Sequence, residues 1–209
     1  MLNTDHDWYE VDFLIMQLNA WGVRYLLGNG AAEGNEEEPS ELVQFIQRLA
    51  ACNFPLVADA SISLFILHPE LAPSVVEALE RSEGEVCENI AVLTLATLYM
   101  QRWWVFRLAS ALGRMPSFPE EPFVRLWEER SLPSPASGYG MVQLLELQEY
   151  QQRRYNAELN FLSDWQNQID HLLAQEEQYQ REISDELRNE LLEFSNIAMQ
   201  MHKGVEDRR

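Results

Sequence analysis

The chain has 209 residues, 46% of them apolar and 23% charged, which is enough apolar mass for a packed core and argues against wholesale disorder. Its net charge of −19 works against direct binding of a nucleic-acid backbone or an anionic membrane surface, because both require clustered Lys and Arg. The acidic, polar start from Met1 to Glu10 has neither the basic nor the apolar region of a secretory signal, and the longest apolar run, Ile90 to Met100, is too short to span a bilayer.

The first predicted element is a helix over Trp8 to Trp21. Trp8, Val11, Leu14, Ile15, Leu18 and Trp21 recur at spacings of three and four, which places them on one face. Asp5 or Asp7 could cap its start, and Gly22 fits its C-terminal end. Residues 23–27, Val-Arg-Tyr-Leu-Leu, could form a short strand or a helical turn. Residues 28–39 then read as an acidic, Gly-rich loop.

A second helix starts at Pro39-Ser40 and runs through Leu42, Phe45, Ile46, Leu49 and Ala50 until Phe54-Pro55 breaks it. Leu56 to Leu67 is apolar almost throughout and reads as a buried helix, although its periodicity fits a strand as well, and His68-Pro69 ends it. Glu70 to Arg81 forms the next helix. Glu85 to Leu112 then forms a long one, apolar nearly all round in its first half, as a central bundle helix would be. A short helix over Pro122 to Arg130 turns Phe123, Leu126 and Trp127 inward.

The fold class is therefore all-α. A helical bundle occupies 1–131, a Pro/Gly linker 132–140, a long amphipathic helix or helical hairpin 141–203, and a tail 204–209. The segment 141–203 has no Pro, and its first Gly follows at 204. A heptad register begun at Tyr155 puts Leu159, Leu162, Ile169, Leu173, Ile183 and Leu187 on one seam, which must face another helix. The polar stretch Ala174 to Gln178 is the place where this segment would bend or reverse.

Catalytic signatures are missing. The run Gly22 to Gly30, Gly-Val-Arg-Tyr-Leu-Leu-Gly-Asn-Gly, loosely resembles the start of minimal nucleotidyltransferases of the antitoxin type. That family carries a Gly-Ser loop after a strand, followed by an Asp-x-Asp pair that binds metal. Here the Gly-Ser position is Gly28-Asn29, and the one Asp-x-Asp, Asp5-His6-Asp7, precedes the loop, so the resemblance transfers no site residue. No P-loop, Glu-x-x-His helix pair, zincin sequence or nucleophile elbow occurs, and no cofactor or metal is expected. Cys52 and Cys87 lie far apart in apolar helical contexts and read as reduced thiols of a cytoplasmic protein. Tyr99, Trp103 and Phe106 share one helix face and Trp104 lies well away from it; core packing is one reading of this cluster, and a partner-binding patch of Trp104, Arg102 and Arg107 the other.

The reading that fits these features is a non-enzymatic interaction or assembly subunit that binds a protein partner or itself through helical surfaces. Its partner-facing residues would be the six seam residues together with Trp104 and Arg107. The alternatives are an acidic decoy of a basic nucleic-acid-binding protein, or an enzyme of a helical class without a local signature, including a degenerate nucleotidyltransferase-like protein.

Overall fold

The computed structural model describes residues 4–26, 39–158 and 160–206, with 4–7, 39–40 and 187–206 described by their backbone alone. Residues 28–38 of the predicted acidic loop 28–39, and the end of the tail, lie outside the described residues. Among those described, the fold is all-α, with nine α-helices and no strand. They are α1 (Thr4–Ala20), α2 (Pro39–Ala51), α3 (Pro55–Leu67), α4 (Ala72–Arg81), α5 (Gly84–Trp103), α6 (Val105–Leu112), α7 (Val124–Glu129), α8 (Met141–Tyr155) and α9 (Phe161–Glu206). The chain divides into two compact units, Met1–Leu173 and Ala174–Arg209.

The first unit is built around α5. Every residue from Ile90 to Gln101 is buried, which matches the apolar composition of that run on all sides. Helices α2, α3, α4 and α8 pack around it. The two threonines in the run cost little to bury, because Thr94 Oγ1 donates to the Ile90 carbonyl at 2.7 Å and Thr97 Oγ1 to the Leu93 carbonyl at 2.8 Å. The inward positions of α1, of α2 and of α7 with the turn before it are those the periodicity indicates: Val11, Leu14 and Leu18; Phe45, Ile46 and Leu49; Phe123 and Trp127. Trp8 is the exception at 57% exposure, although its ring lies 5.1 Å from that of Phe54.

Helix α1 ends as Gly22 suggests. With φ of +84°, Gly22 donates its N–H to the Asn19 carbonyl, and the buried Val23 donates to the Leu18 carbonyl at 2.8 Å, the pair of bonds that closes a Schellman motif. This turn uses the residues that could have begun a strand, and residues 23–26 contain none. Asp5 and Asp7 fall inside α1, which starts at Thr4, and so do not cap it.

Three breaks differ from the sequence reading. The expected helix from Glu85 to Leu112 is divided at Trp104, whose φ of −99° and ψ of 15° leave the helical basin. Neighbouring positions on a regular helix point about 100° apart. Opening the turn lets both Trp103 and Trp104 pack on the core, with their rings 5.3 Å apart.

The stretch 132–140 is held against α5. Leu132 and Pro135 are buried, Tyr99 Oη donates to the Pro133 carbonyl at 2.7 Å, and a Cβ on Gly140 would stand 2.2 Å from the Tyr99 carbonyl oxygen. The division between units falls instead after Leu173.

The C-terminal segment is two helices, broken at Asn156 rather than at Ala174 to Gln178, through which α9 runs unbroken. Asn156 adopts the left-handed conformation at φ 49°, ψ 43°, and Asn160 Oδ1 accepts the Ser163 N–H at 3.3 Å as an N-cap of α9. Asparagine substitutes here for the Gly that usually stops a helix, because its short polar side chain tolerates that basin.

Candidate functional site

The structure places the expected partner-facing residues in several different settings. Ile169 and Leu173 are core residues of the first unit, and Leu162 packs on that core partly buried. The buried face of α9 also includes Trp165, Gln168 and Leu172, so its stripe is wider than the heptad seam. Leu159 and the Leu187 side chain lie outside the described residues.

Trp104 and Arg107 are engaged within the chain. The Arg107 guanidinium lies 4.5 Å over the Trp104 ring and 3.6 Å from an Asp170 carboxylate oxygen. Trp104 Nε1 is buried without a hydrogen-bond partner among the described residues.

Beyond Leu173 the setting changes. Residues 177–186 are exposed except for the half-buried Ile183, and Tyr179 is 47% exposed. This part of α9 is supported along its own length. Arg181 pairs with Glu177 at 3.5 Å, Gln178 Nε2 donates to Glu182 at 2.8 Å, and Ser184 Oγ donates to the Gln180 carbonyl. Tyr179, Ile183 and Leu187 follow one another at intervals of four, which puts the three positions on one helix face.

A second apolar surface lies on the first unit. After α6, Gly113 reverses the chain, and the returning strap is tied down where Phe118 meets Gln101. The strap and the turn at 136–139 border a concavity of about 970 Å³ with Phe106, Met115 and Tyr139 on its sides, exposed by 85%, 59% and 91%. Arg102 and Glu120, bonded at 2.9 Å, stand on its wall.

A smaller cavity, about 140 Å³, lies where α2, α3, α5, α8 and α9 meet. Asp59 of α3 and the rings of Tyr155, Phe161 and Trp165 line it, together with Asn89, Gln151 and Cys52. Burial pushes the Asp59 carboxyl up to about 7, repulsion from Asp164 adds to this, and a hydrogen bond from the Trp165 indole opposes it. Burial also pushes the Cys52 thiol up, which keeps it protonated and a poor nucleophile near neutral pH. Sequence reading passed over this site. The signal that was there is one carboxylate, Asp59, inside the almost wholly apolar run Leu56 to Leu67.

The remaining polar clusters hold the fold together. Glu88 accepts a forked pair of bonds from Arg130, at 2.9 and 2.5 Å, and a third from Tyr150 Oη at 2.8 Å. Tyr25 Oη donates at 2.6 Å to Gln168 Oε1 and lies 3.0 Å from Ser63 Oγ, with His171 stacked on its ring. His68 is bonded to Glu70 and to the Trp21 carbonyl. Among the described residues, no group of three His, Cys, Asp or Glu side chains is arranged to hold a metal ion, and no single helix is long and apolar enough to cross a membrane.

No protein-family model matches the chain, and no curated protein or solved structure is significantly similar to it.

Proposed function

We propose that the protein is a non-catalytic assembly subunit of the cytoplasm that engages a protein partner through the part of α9 beyond Leu173. The observation that carries this reading is the change of environment along one helix. Up to Leu173 its apolar side chains are buried in the first unit, and past that point it continues to Glu206 with Tyr179 on the surface. Isolated helices are marginal in water and gain most of their stability by burying an apolar face. A helix this long, with Tyr179, Ile183 and Leu187 in one line, therefore fits pairing with another helix in coiled-coil fashion.

Charge favours a particular kind of partner. Glu176, Glu177, Glu182, Asp185 and Glu186 outnumber Arg181 and Arg188 along this stretch. A partner helix with Lys or Arg beside its apolar face would be attracted, and an acidic one repelled. The unpaired thiols of Cys52 and Cys87 are compatible with a reducing compartment.

The test compares the full chain with a Tyr179→Asp/Ile183→Asp variant. Both are used to capture partners from cells that produce the protein, and the mass of each complex is measured by light scattering. The reading expects a stoichiometric partner that the variant loses while its circular dichroism stays helical. A wild-type chain that remains a monomer without a partner, or a variant that keeps the partner, overturns it.

A further inference from the structure

We propose that the cavity between Asp59 and the rings of Tyr155, Phe161 and Trp165 is a binding site for a small organic cation, a substituted ammonium group of about the size of the choline head. Three features of its construction lead there. The first is size. A cavity of about 140 Å³ is comparable with the engineered apolar cavities of about 150 Å³ that take up a benzene-sized molecule. Its exposed border, Pro55 and the half-exposed Tyr155, marks the side open to solvent.

The second feature is the wall. The Phe161 ring lies 6.0 Å from Tyr155 on one side and 6.0 Å from Trp165 on the other, so the three rings form a continuous aromatic lining. Aromatic faces attract cations through the ring quadrupole, and substituted ammonium groups gain most because they are weakly hydrated. The Arg154 guanidinium already lies 4.9 Å over the Tyr155 ring, an instance of the same attraction within the chain.

The third is the carboxylate. Asp59 has the Trp165 indole as a hydrogen-bond donor, but the charge that acts on it is the like-charged Asp164. Buried carboxylates are ordinarily paired with a cation. Among the described residues Asp59 has no ion-pair partner: Arg154, which contacts the cavity's Asn89, Gln151 and Tyr155, pairs with Glu85. A ligand cation would supply the missing countercharge. Asn89 and Gln151 add polar side chains to the lining.

Binding by this route depends on pH. The titratable and charged groups around Asp59 are Asp164 of α9, Tyr25 from the turn after α1, the Cys52 thiol, and, on the α8 wall of the cavity, Tyr155 with Arg154 over its ring. Burial holds Cys52 protonated and Tyr25 neutral, so Asp59 is the group in the cavity whose charge changes near pH 7. The ionised form binds the cation, and apparent affinity scales with its fraction.

The experiment titrates choline chloride into the full-length protein and follows the Trp165 indole N–H by NMR, assigned with a Trp165→Phe variant. Sodium chloride at the same ionic strength and the neutral isostere 3,3-dimethylbutanol serve as controls. The proposal expects a saturable shift with choline, at least tenfold tighter at pH 8 than at pH 5.5. It expects the shift to disappear in Asp59→Asn, and affinity to fall several-fold in Phe161→Leu, which keeps the carboxylate. No saturable shift, an equal response to sodium chloride, equal affinity for the neutral isostere, or undiminished binding by Asp59→Asn would each overturn it.

Discussion

The side chain of Gln101 serves Phe118 as a neighbouring strand would: Nε2 donates to the Phe118 carbonyl at 2.8 Å, and Oε1 accepts the Phe118 N–H at 3.1 Å. Both residues are buried. The Phe118 ring is thereby held 5.4 Å from each of Phe65 and Phe123. One carboxamide on α5 thus satisfies an irregular backbone segment inside the core, where water cannot reach it. Replacing Gln101 with Leu strands a buried N–H and a buried carbonyl, at about 1–3 kcal/mol each. Chemical denaturation of Gln101→Leu should show a loss of about 2–5 kcal/mol. A loss below about 1 kcal/mol would mean that the Phe118 backbone finds other partners.

The ion pair of Glu88 and Arg130 ties α5 to α7, and its side chains are only 20% and 12% exposed. Burial alone would raise the Glu88 carboxyl, but the hydrogen bonds from Arg130 and Tyr150 outweigh it and hold the group below its ordinary value. Arg130→Met leaves a desolvated carboxylate behind and should cost about 3–5 kcal/mol. Because the folded value is depressed, the stabilisation is present above the unfolded carboxyl value and is lost as pH falls through the folded one. Wild type should accordingly lose its advantage over Glu88→Gln on acidification below about pH 4. A difference that does not change with pH would show that the charge of Glu88 is not what stabilises the pair.

Gly140 and Gly113 make a matched pair of tests. Both have positive φ, +93° and +64°. A Cβ on Gly140 would lie 2.2 Å from the Tyr99 carbonyl oxygen and 2.7 Å from the Trp103 nitrogen, both backbone atoms of the central helix, whereas one on Gly113 meets nothing within 4 Å. Gly113→Ala should cost only the conformational penalty of about 1–2 kcal/mol. Gly140→Ala should cost distinctly more, above about 3 kcal/mol, because rigid backbone must move. Equal thermal midpoints for the two variants would show that residues 132–140 are not clamped against α5.

These contacts also mark where the sequence was readable. The long apolar run of α5, the stripe of α1 and the Gly22 stop follow from periodicity and helix-end chemistry, which are local. The turn at Asn156 was equally local, but asparagine fills so many roles that it does not announce a left-handed residue as Gly does. Periodicity identified Ile169 and Leu173 as a buried seam but could not say whether their partner was in the same chain. The anchoring of 132–140 and the cavity at Asp59 depend on residues brought together from distant parts of the chain, and no spacing encodes them.

Asp59 allows a test in the opposite pH direction from Glu88. Its carboxyl is pushed up to about 7 from an ordinary 3.8, first by burial and then by Asp164. An acid whose folded value is raised binds protons more tightly in the folded state, so its contribution is fully present below the unfolded value. It is lost as pH rises through the folded one. Wild type should therefore weaken between about pH 4 and pH 7, by at most about 1.4 kcal/mol for each unit of pH.

Asp59→Asn keeps an acceptor for the Trp165 indole and removes the ionisation. It should be close to wild type near pH 4 and more stable at pH 8, with the gap opening across the interval between. Urea midpoints of the two proteins measured from pH 4 to pH 8 give this gap directly. Parallel curves would mean that Asp59 is ionised in the folded protein throughout the range. The cavity would then already contain a cationic group or enough water to solvate the charge.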